Sequence, residues 1–305
     1  MEDNIKGLFN MGDYMVRGLA FNDTVRAIAV DLTQTVNTAQ EKHASNPTAT
    51  AALGRLMTAS AVMGSNLKDG QKLTLTVNGG GPLGDINAQI DEAGNIRGYV
   101  QKPHILIPPI NEEKLAVANG VGKNGMLHVT LDYGLEKPYK GSVELISGQI
   151  AEDVAYYFVK SEQIPTIFAA GVLIGEEGVV RSAGGYLIQV LPDAEDEVIE
   201  ELENIMKSVK PVSRLLDQGY SPEDVLSYLL KDYDLRFLED KKEFQFKCNC
   251  NKNSLEAALT TLNEDDLNSF LDLDNTEVCC QYCSTCYTFT KEEIDNISKQ
   301  ARESE

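Results

Sequence analysis

The sequence predicts an α+β fold in three parts: a mixed sheet-and-helix core over residues 1–192, a helical linker over 193–243, and a small cysteine-bearing module over 244–305. Three observations predict it. Before Pro192, strand-like and helix-like patterns come in blocks rather than in strict alternation, which favours α+β over a doubly wound sheet. After Pro192 the apolar residues fall at helical spacing. All six cysteines lie in the last fifth of the chain.

Taken in order, Tyr14 to Phe21 and Thr24 to Leu32 are β-rich runs around the turn pair Asn22-Asp23, the pattern of a hairpin. Thr48 to Leu67, rich in Ala and Met, reads as a buried helix with small contact residues. Lys72 to Val77 alternates polar and apolar as a half-buried strand does, and Asp85 to Ile90 and Asn95 to Val100 continue the sheet across Gly94. Ala151 to Lys160 reads as helix, and Val172 to Ile174 and Gly185 to Leu191 as further strands.

In the linker, Val198, Ile199, Leu202, Ile205, Met206 and Val209 make one apolar stripe that Pro211 stops. Val212, Leu215 and Leu216 form a short second helix ending at Gly219. Ser221 caps a third, with Pro222 at its first position, Asp224 three residues after the cap, and an apolar face of Val225, Leu226, Leu229 and Leu230. The first stripe has two readings: packing on the core, or a surface hidden in one state and shown in another. The module begins near Phe244. There Asn253 is the expected cap of a helix that turns Leu255, Ala258, Leu259 and Leu262 inward, and Asn263 starts a second short helix with Leu267, Phe270 and Leu271.

Charge narrows the function classes. The net charge is −20, and from Asp193 onward 27 acidic and 12 basic residues carry −15 of it. Such a chain repels a phosphate backbone, so no nucleic-acid partner is expected. The start, Met1 to Asn10, lacks a basic region followed by an apolar run. The apolar stretch at Ile167 to Ile174 is too short for a bilayer, so no membrane partner is expected and the chain reads as cytoplasmic. Gly79 to Gly84 matches the dinucleotide fingerprint letter for letter. The fingerprint needs a following helix, and Asp85 to Ile90 reads as strand, so the glycines are taken as a strand connection. No nucleophile elbow, P-loop, zinc-protease helix or acid/base carboxylate pair stands out, and the chain does not read as an enzyme.

The cysteines carry the chemistry. Cys248-Asn-Cys250 and Cys280-Gln-Tyr-Cys283 are short-spaced pairs joined by a longer loop, as a tetrahedral four-thiolate zinc site requires. Cys283-Ser-Thr-Cys286 offers the same geometry, so spacing alone leaves the register open. His43, His104 and His128 lie outside the module, which argues against a mixed Cys/His site. A purely structural zinc ribbon serving as an adaptor is the commoner use of such a motif. Two features tilt against it. Six thiols crowd into 39 residues, leaving Cys279 and Cys286 free to join thiol exchange. Ser254 to Gln281 holds seven acidic residues and no Lys or Arg, a field that raises the pKa of a free thiol and leaves a metal as the main agent holding these sulfurs as thiolates. A catalytic Cys283/Cys286 pair would need a basic neighbour to activate a thiol, and none is present.

A set of segments spread nearly end to end stands out: Arg17-Gly-Leu-Ala-Phe21, Thr58-Ala-Ser-Ala-Val-Met-Gly64, Gly79-Gly-Gly-Pro-Leu-Gly84, Ser147-Gly-Gln-Ile-Ala-Glu-Asp153, Ser161-Glu-Gln163, Ala183-Gly-Gly185, Phe246-Lys-Cys-Asn-Cys250 and Cys280-Gln-Tyr-Cys283. In these segments the chain resembles the heat-shock protein 33 family of redox-regulated chaperones. The resemblance implies Cys248, Cys250, Cys280 and Cys283 as ligands of one zinc per reduced chain, with Tyr287 and Phe289 following as the family's aromatic pair. It implies that oxidative stress joins Cys248 with Cys250 and Cys280 with Cys283, that zinc leaves, and that the loosened linker lets the protein hold unfolding client proteins without ATP. Oxidised subunits are expected to form a homodimer.

Overall fold

The computed structural model describes residues 12–112, 114–192, 194–262, 266–267, 270 and 274–303, with side chains up to 299 in the last helix. The chain forms two compact units, one ending at Lys247 and one beginning at Cys248.

The first unit opens with β1 (Tyr14–Ala20) and β2 (Val25–Asp31), an antiparallel hairpin in which Ala20 faces Val25. Phe21, Asn22 and Asp23 all take positive φ at this turn, a conformation that short Asn and Asp side chains tolerate. Helix α1 (Thr33–His43) and helix α2 (Pro47–Met63) follow. A meander comes next: β3 (Lys72–Gly80), β4 (Ile86–Asp91) and β5 (Asn95–Val100). After the short helix α3 (Val117–Val121), β6 (Gly122–Asp132) and β7 (Tyr139–Glu144) extend that sheet. Helix α4 (Ala151–Tyr157) then leads to the long hairpin of β8 (Thr166–Ile174) and β9 (Val180–Val190). Three linker helices, α5 (Asp196–Met206), α6 (Val212–Asp217) and α7 (Pro222–Leu230), precede the two-residue strands β10 (Arg236–Phe237), β11 (Lys242–Glu243) and β12 (Gln245–Phe246).

Two six-stranded sheets result. One runs β10-β1-β2-β9-β8, with β11 also pairing β1; the other runs β12-β5-β4-β3-β6-β7. Helix α2 touches strands of both sheets, and its side chains are buried almost all round. That is why its sequence shows little amphipathic pattern and favours Ala and Thr, which let neighbours approach closely. The first sheet is covered on both faces. Met15, Ile28, Val30 and Leu187 point into the inner core. Tyr14, Val16, Ala27, Ala29, Tyr186 and Ile188 point the other way, onto Leu202, Leu215, Leu226 and Leu229 of the linker helices. Period-two alternation thus feeds two cores from one sheet, and the run Val25-Arg-Ala-Ile-Ala-Val30 is nearly all apolar.

Several expectations meet the structure directly. Most of the linker stripe lies in the first unit's outer core: Leu202 is buried there and Val198, Ile205, Met206 and Val209 pack against it, while α6 and α7 make the contacts with β1, β2 and β9. Ser221 caps α7 as expected: it accepts the Asp224 amide at 3.1 Å, and Asp224 accepts the Ser221 amide at 3.0 Å. Gly79 and Gly80 end β3 and residues 81–84 lead on towards β4, so the glycine run joins two strands, as expected. A Cβ at Gly79 or Gly81 would run into the backbone of residues 120–122, which explains the glycines there. Phe244, 6% exposed, belongs to the core of the first unit, and β12 pairs in parallel with β5. Val172 to Ile174 is the end of a strand that starts at Thr166. Helix α1 and strands β6 and β7 carry no clear sequence signal. Helix α1 turns inward Thr35, Val36, Ala39 and His43, a mixed set, and β6 begins with Gly-Lys-Asn-Gly.

The second unit contains helix α8 (Lys252–Leu259), the hairpin β13 (Asn275–Cys279) and β14 (Cys286–Thr290), and helix α9 (Lys291–Glu303). The α8 cap is Asn251, whose side chain accepts the Ser254 amide at 2.9 Å; the expected cap, Asn253, lies inside the helix. The hydroxyl of Ser254 donates back to the Asn251 carbonyl at 2.8 Å, which fixes the earlier register. Asn263 and Leu271, expected on the next helix, lie outside the described residues, while Leu267 is buried and Phe270 packs beside it. Leu259, Leu267, Phe289, Ile294 and Ile297 form the small core. Lys252 joins α8 to α9 through Glu293 at 2.6 Å and sits 4.9 Å from the centre of the Phe289 ring.

Candidate metal centre

The site is built from two tight backbone features. Cys248 and Cys250 stand just before α8, where the Asn251 cap turns the chain. Cys280 and Cys283 sit in the turn between β13 and β14. There the Cys280 amide donates to the Thr285 carbonyl at 2.9 Å, and the Ser284 amide donates to the Cys280 carbonyl at 2.8 Å. Ser284 takes a positive φ of 55°, which completes the reversal.

These features bring Cys248, Cys250, Cys280 and Cys283 together, with all four sulfurs within 4.8 Å of one another. Two contacts cross between the pairs: 3.8 Å from Cys248 to Cys280 and 3.4 Å from Cys250 to Cys283. Cys280 and Cys283 are buried, and the other two are half-buried. Thiolates 2.3 Å from a tetrahedral zinc stand about 3.8 Å apart, so the donor set fits a zinc-sized ion in both chemistry and spacing. Tyr287 closes one side, its hydroxyl donating to the Cys250 carbonyl at 3.1 Å.

The electrostatics differ from thiol to thiol. Burial pushes the Cys280 thiol up to about 12, aided by the neighbouring sulfurs of Cys248 and Cys283. Burial also pushes up Cys283, but its hydrogen bonds with the Thr285 hydroxyl and amide, and with Cys250 and Cys248, outweigh it and bring Cys283 down to about 7. Cys250 is raised, by burial first and then by its contact with Cys283. A cation at the centre would favour the ionised form of every sulfur at once. Thr285 was not singled out from the sequence; its only signal is its place two residues after Cys283.

Cys279 and Cys286 do not join the cluster. They face each other across β13 and β14, are joined by a disulfide, and are exposed. Cys286 is thus paired with Cys279 and stands apart from the four clustered sulfurs.

Residues 13–290 match the protein family described as Hsp33 protein. The chain belongs to the Hsp33 family. Relatives named 33 kDa chaperonin share this ancestry over almost their whole length. The one from Geobacillus kaustophilus is 41% identical over 96% of this chain and 99% of its own. The one from Lachnoclostridium phytofermentans is 42% identical over 94% and 98%. The crystal structure of the 33 kDa chaperonin (heat shock protein 33 homolog) from Thermotoga maritima superposes with a TM-score of 0.86 at 34% identity, covering 96% of this chain and all of that one. Membership makes this chain a chaperone. Among the described residues no helix is long and apolar enough to cross a membrane.

Proposed function

We propose that the protein is a redox-regulated, ATP-independent holdase that protects unfolding client proteins under oxidative stress in the cytoplasm. Its switch would be one zinc per reduced chain, held by Cys248, Cys250, Cys280 and Cys283. The observation that carries this reading is the convergence of four sulfurs within 4.8 Å in a unit whose core has five buried apolar side chains among the described residues. A unit of roughly 60 residues with so thin a core is marginal without a cross-link. Bound zinc would supply that cross-link and hold the sulfurs as thiolates.

The rest follows from the chain's own residues. Joining Cys248 to Cys250 and Cys280 to Cys283 delivers two electrons and two protons per disulfide to the oxidant, so each peroxide becomes two waters. All four ligands are then consumed, and the segment before α8 is no longer tied to the hairpin. The second unit loses its fold first, being the less stable part. Its chain continues directly into β12, and β10, β11 and β12 are only two residues each. The same stretch holds Lys241, whose ammonium pairs with Glu223 of α7 at 2.5 Å, while Tyr14 of β1 donates to Glu223 at 2.8 Å. Burial would raise Glu223, but Lys241 and Tyr14 hold its carboxyl below the usual value. Freeing this stretch removes a clamp on the linker helices, whose apolar faces would then meet clients or a second oxidised subunit. The acidic surface disfavours nucleic acid as a partner.

The test is a thermal-aggregation assay with a model client before and after peroxide treatment, with zinc release and free thiols measured alongside. Zinc release, loss of four thiols and suppressed aggregation should move together and reverse with reductant plus zinc. Oxidised, zinc-free protein that holds clients no better than the reduced form would leave a structural zinc ribbon.

A further inference from the structure

The four-sulfur cluster leaves two cysteines unused, and their placement is specific. Cys279 and Cys286 are the last directly paired residues of β13 and β14, with Cα atoms 3.9 Å apart. Their disulfide encloses residues 280–285, which include two of the four cluster cysteines. It lies on the exposed face of the hairpin with Glu277, whereas Val278, Tyr287 and Phe289 turn inward on the alternate positions. Cys280 and Cys283 are buried beyond the strand ends. The two sulfur sites are thus adjacent in sequence but turned to different surroundings.

We propose that Cys279 and Cys286 form a second redox couple, independent of the cluster, whose disulfide staples the hairpin and holds Cys280 and Cys283 in the metal-binding register. The inference rests on the zinc reading above. Two physical effects act in the same direction. Closing the ring restricts the turn before any ion arrives, so less ordering remains to be done on binding. The staple also withdraws two competing thiols. Cys283 and Cys286 have the same spacing as Cys280 and Cys283, and in the dithiol form Cys286 can displace a ligand and shift the register. Oxidation of the exposed pair therefore strengthens the metal site, while oxidation of the cluster abolishes it.

The step needs only a low-molecular-weight disulfide. One exposed thiolate attacks it, forming a mixed disulfide and releasing one small thiol. The second protein thiolate then displaces the other small thiol and closes Cys279 onto Cys286. Two protein thiols are oxidised and one small disulfide is reduced to two thiols.

The experiment uses the full chain, fully reduced, loaded with zinc and then exposed to oxidised glutathione. Non-reducing peptide mapping, free-thiol counting and zinc transfer to a chromogenic chelator are followed together. The expected result is loss of two thiols, a Cys279–Cys286 link, full zinc retention, and zinc transfer roughly tenfold slower than from the dithiol form. The double variant Cys279→Ser/Cys286→Ser, which lacks both the staple and the competing thiols, should transfer zinc faster than the disulfide form and no faster than the dithiol form, with no response to the reagent. A first disulfide that includes a cluster cysteine, or equal transfer rates in the two forms, overturns the proposal. Protein that takes up no zinc in either state overturns the zinc reading instead. The staple is then judged from amide exchange of β13 and β14, where equal protection in dithiol and disulfide forms rejects it.

Discussion

The two units of this chain are held by different physics. The unit ending at Lys247 fills two cores from the two faces of one sheet, so its stability is spread over dozens of buried side chains. The unit beginning at Cys248 has a small apolar cluster beside four converging sulfurs and one disulfide. Distributed burial fails gradually, because no single contact carries much of it. A ligated cluster fails at once, because removing one pair of thiolates removes the cross-link. A chelator or an oxidant should therefore unfold the second unit and leave the sheets of the first intact, loosening there only the linker helices and the short strands that lead to Cys248.

The largest expected effect tests that contrast directly. Removing zinc from the reduced protein should cost the second unit most of its stability, since structural zinc contributes about 10–16 kcal/mol in small finger peptides. Hydrogen exchange should show α8, β13, β14 and α9 losing protection while β2, β3 and β9 keep theirs. Uniform loss across both units would break the comparison.

The next effect lies on the outer core of the first unit. Leu202, 2% exposed, packs among the linker helices on the sheet. Leu202→Asp removes that packing and buries a carboxylate, at a cost of about 4 kcal/mol. Ile205→Asp, at a partly buried position, should cost less. The Leu202 variant should suppress client aggregation in the reduced, zinc-bound state. A silent reduced variant, destabilised by the same amount in urea, would show that this face does not gate activity.

A smaller effect separates the ligands from their neighbours. Divided over four thiolates, the zinc contribution corresponds to roughly two to three powers of ten in affinity per sulfur. Cys280→Ser should lose about that much in a competition titration, whereas Cys279→Ser and Cys286→Ser should lose about tenfold. Equal losses at Cys280 and Cys286 would overturn the ligand set.

The smallest effect belongs to the first unit alone. Asp13 accepts the amides of Gln34 and Thr35 at the start of α1. Burial raises its carboxyl to about 6, against the hydrogen bonds from Thr35, with the nearby Asp31 charge adding to the rise. A folded-state value above the unfolded one means that the folded chain holds the proton more tightly. The stability Asp13 contributes is therefore full below about pH 4 and falls as pH rises to about 6, by up to about 3 kcal/mol. Subtracting the urea stability of Asp13→Asn from that of the parent across this range should show the decline. A flat difference would mean that the amide donors compensate the burial.

Features encoded within a few residues could be read from the chain alone. The β1–β2 hairpin was legible from two β-rich runs around Asn22-Asp23, and α7 from Ser221, Pro222 and Asp224, because turns and caps are written within a few residues. Helix α9 was equally legible and was missed: Thr290 and Glu293 exchange the hydrogen bonds of a capping box ahead of Ile294 and Ile297. The cysteine spacing pointed to a four-sulfur site, but it could not choose between Cys280/Cys283 and Cys283/Cys286, which are equivalent as spacings. What separates the two pairs in space is strand pairing, which places Cys279 opposite Cys286 on an exposed face and leaves Cys280 and Cys283 in the turn beside Cys248 and Cys250. The tertiary structure also decided what the linker stripe packs on, since one sheet with two apolar faces needs a cover for the second. Such choices rest on contacts between residues far apart in the chain, and no local pattern records them.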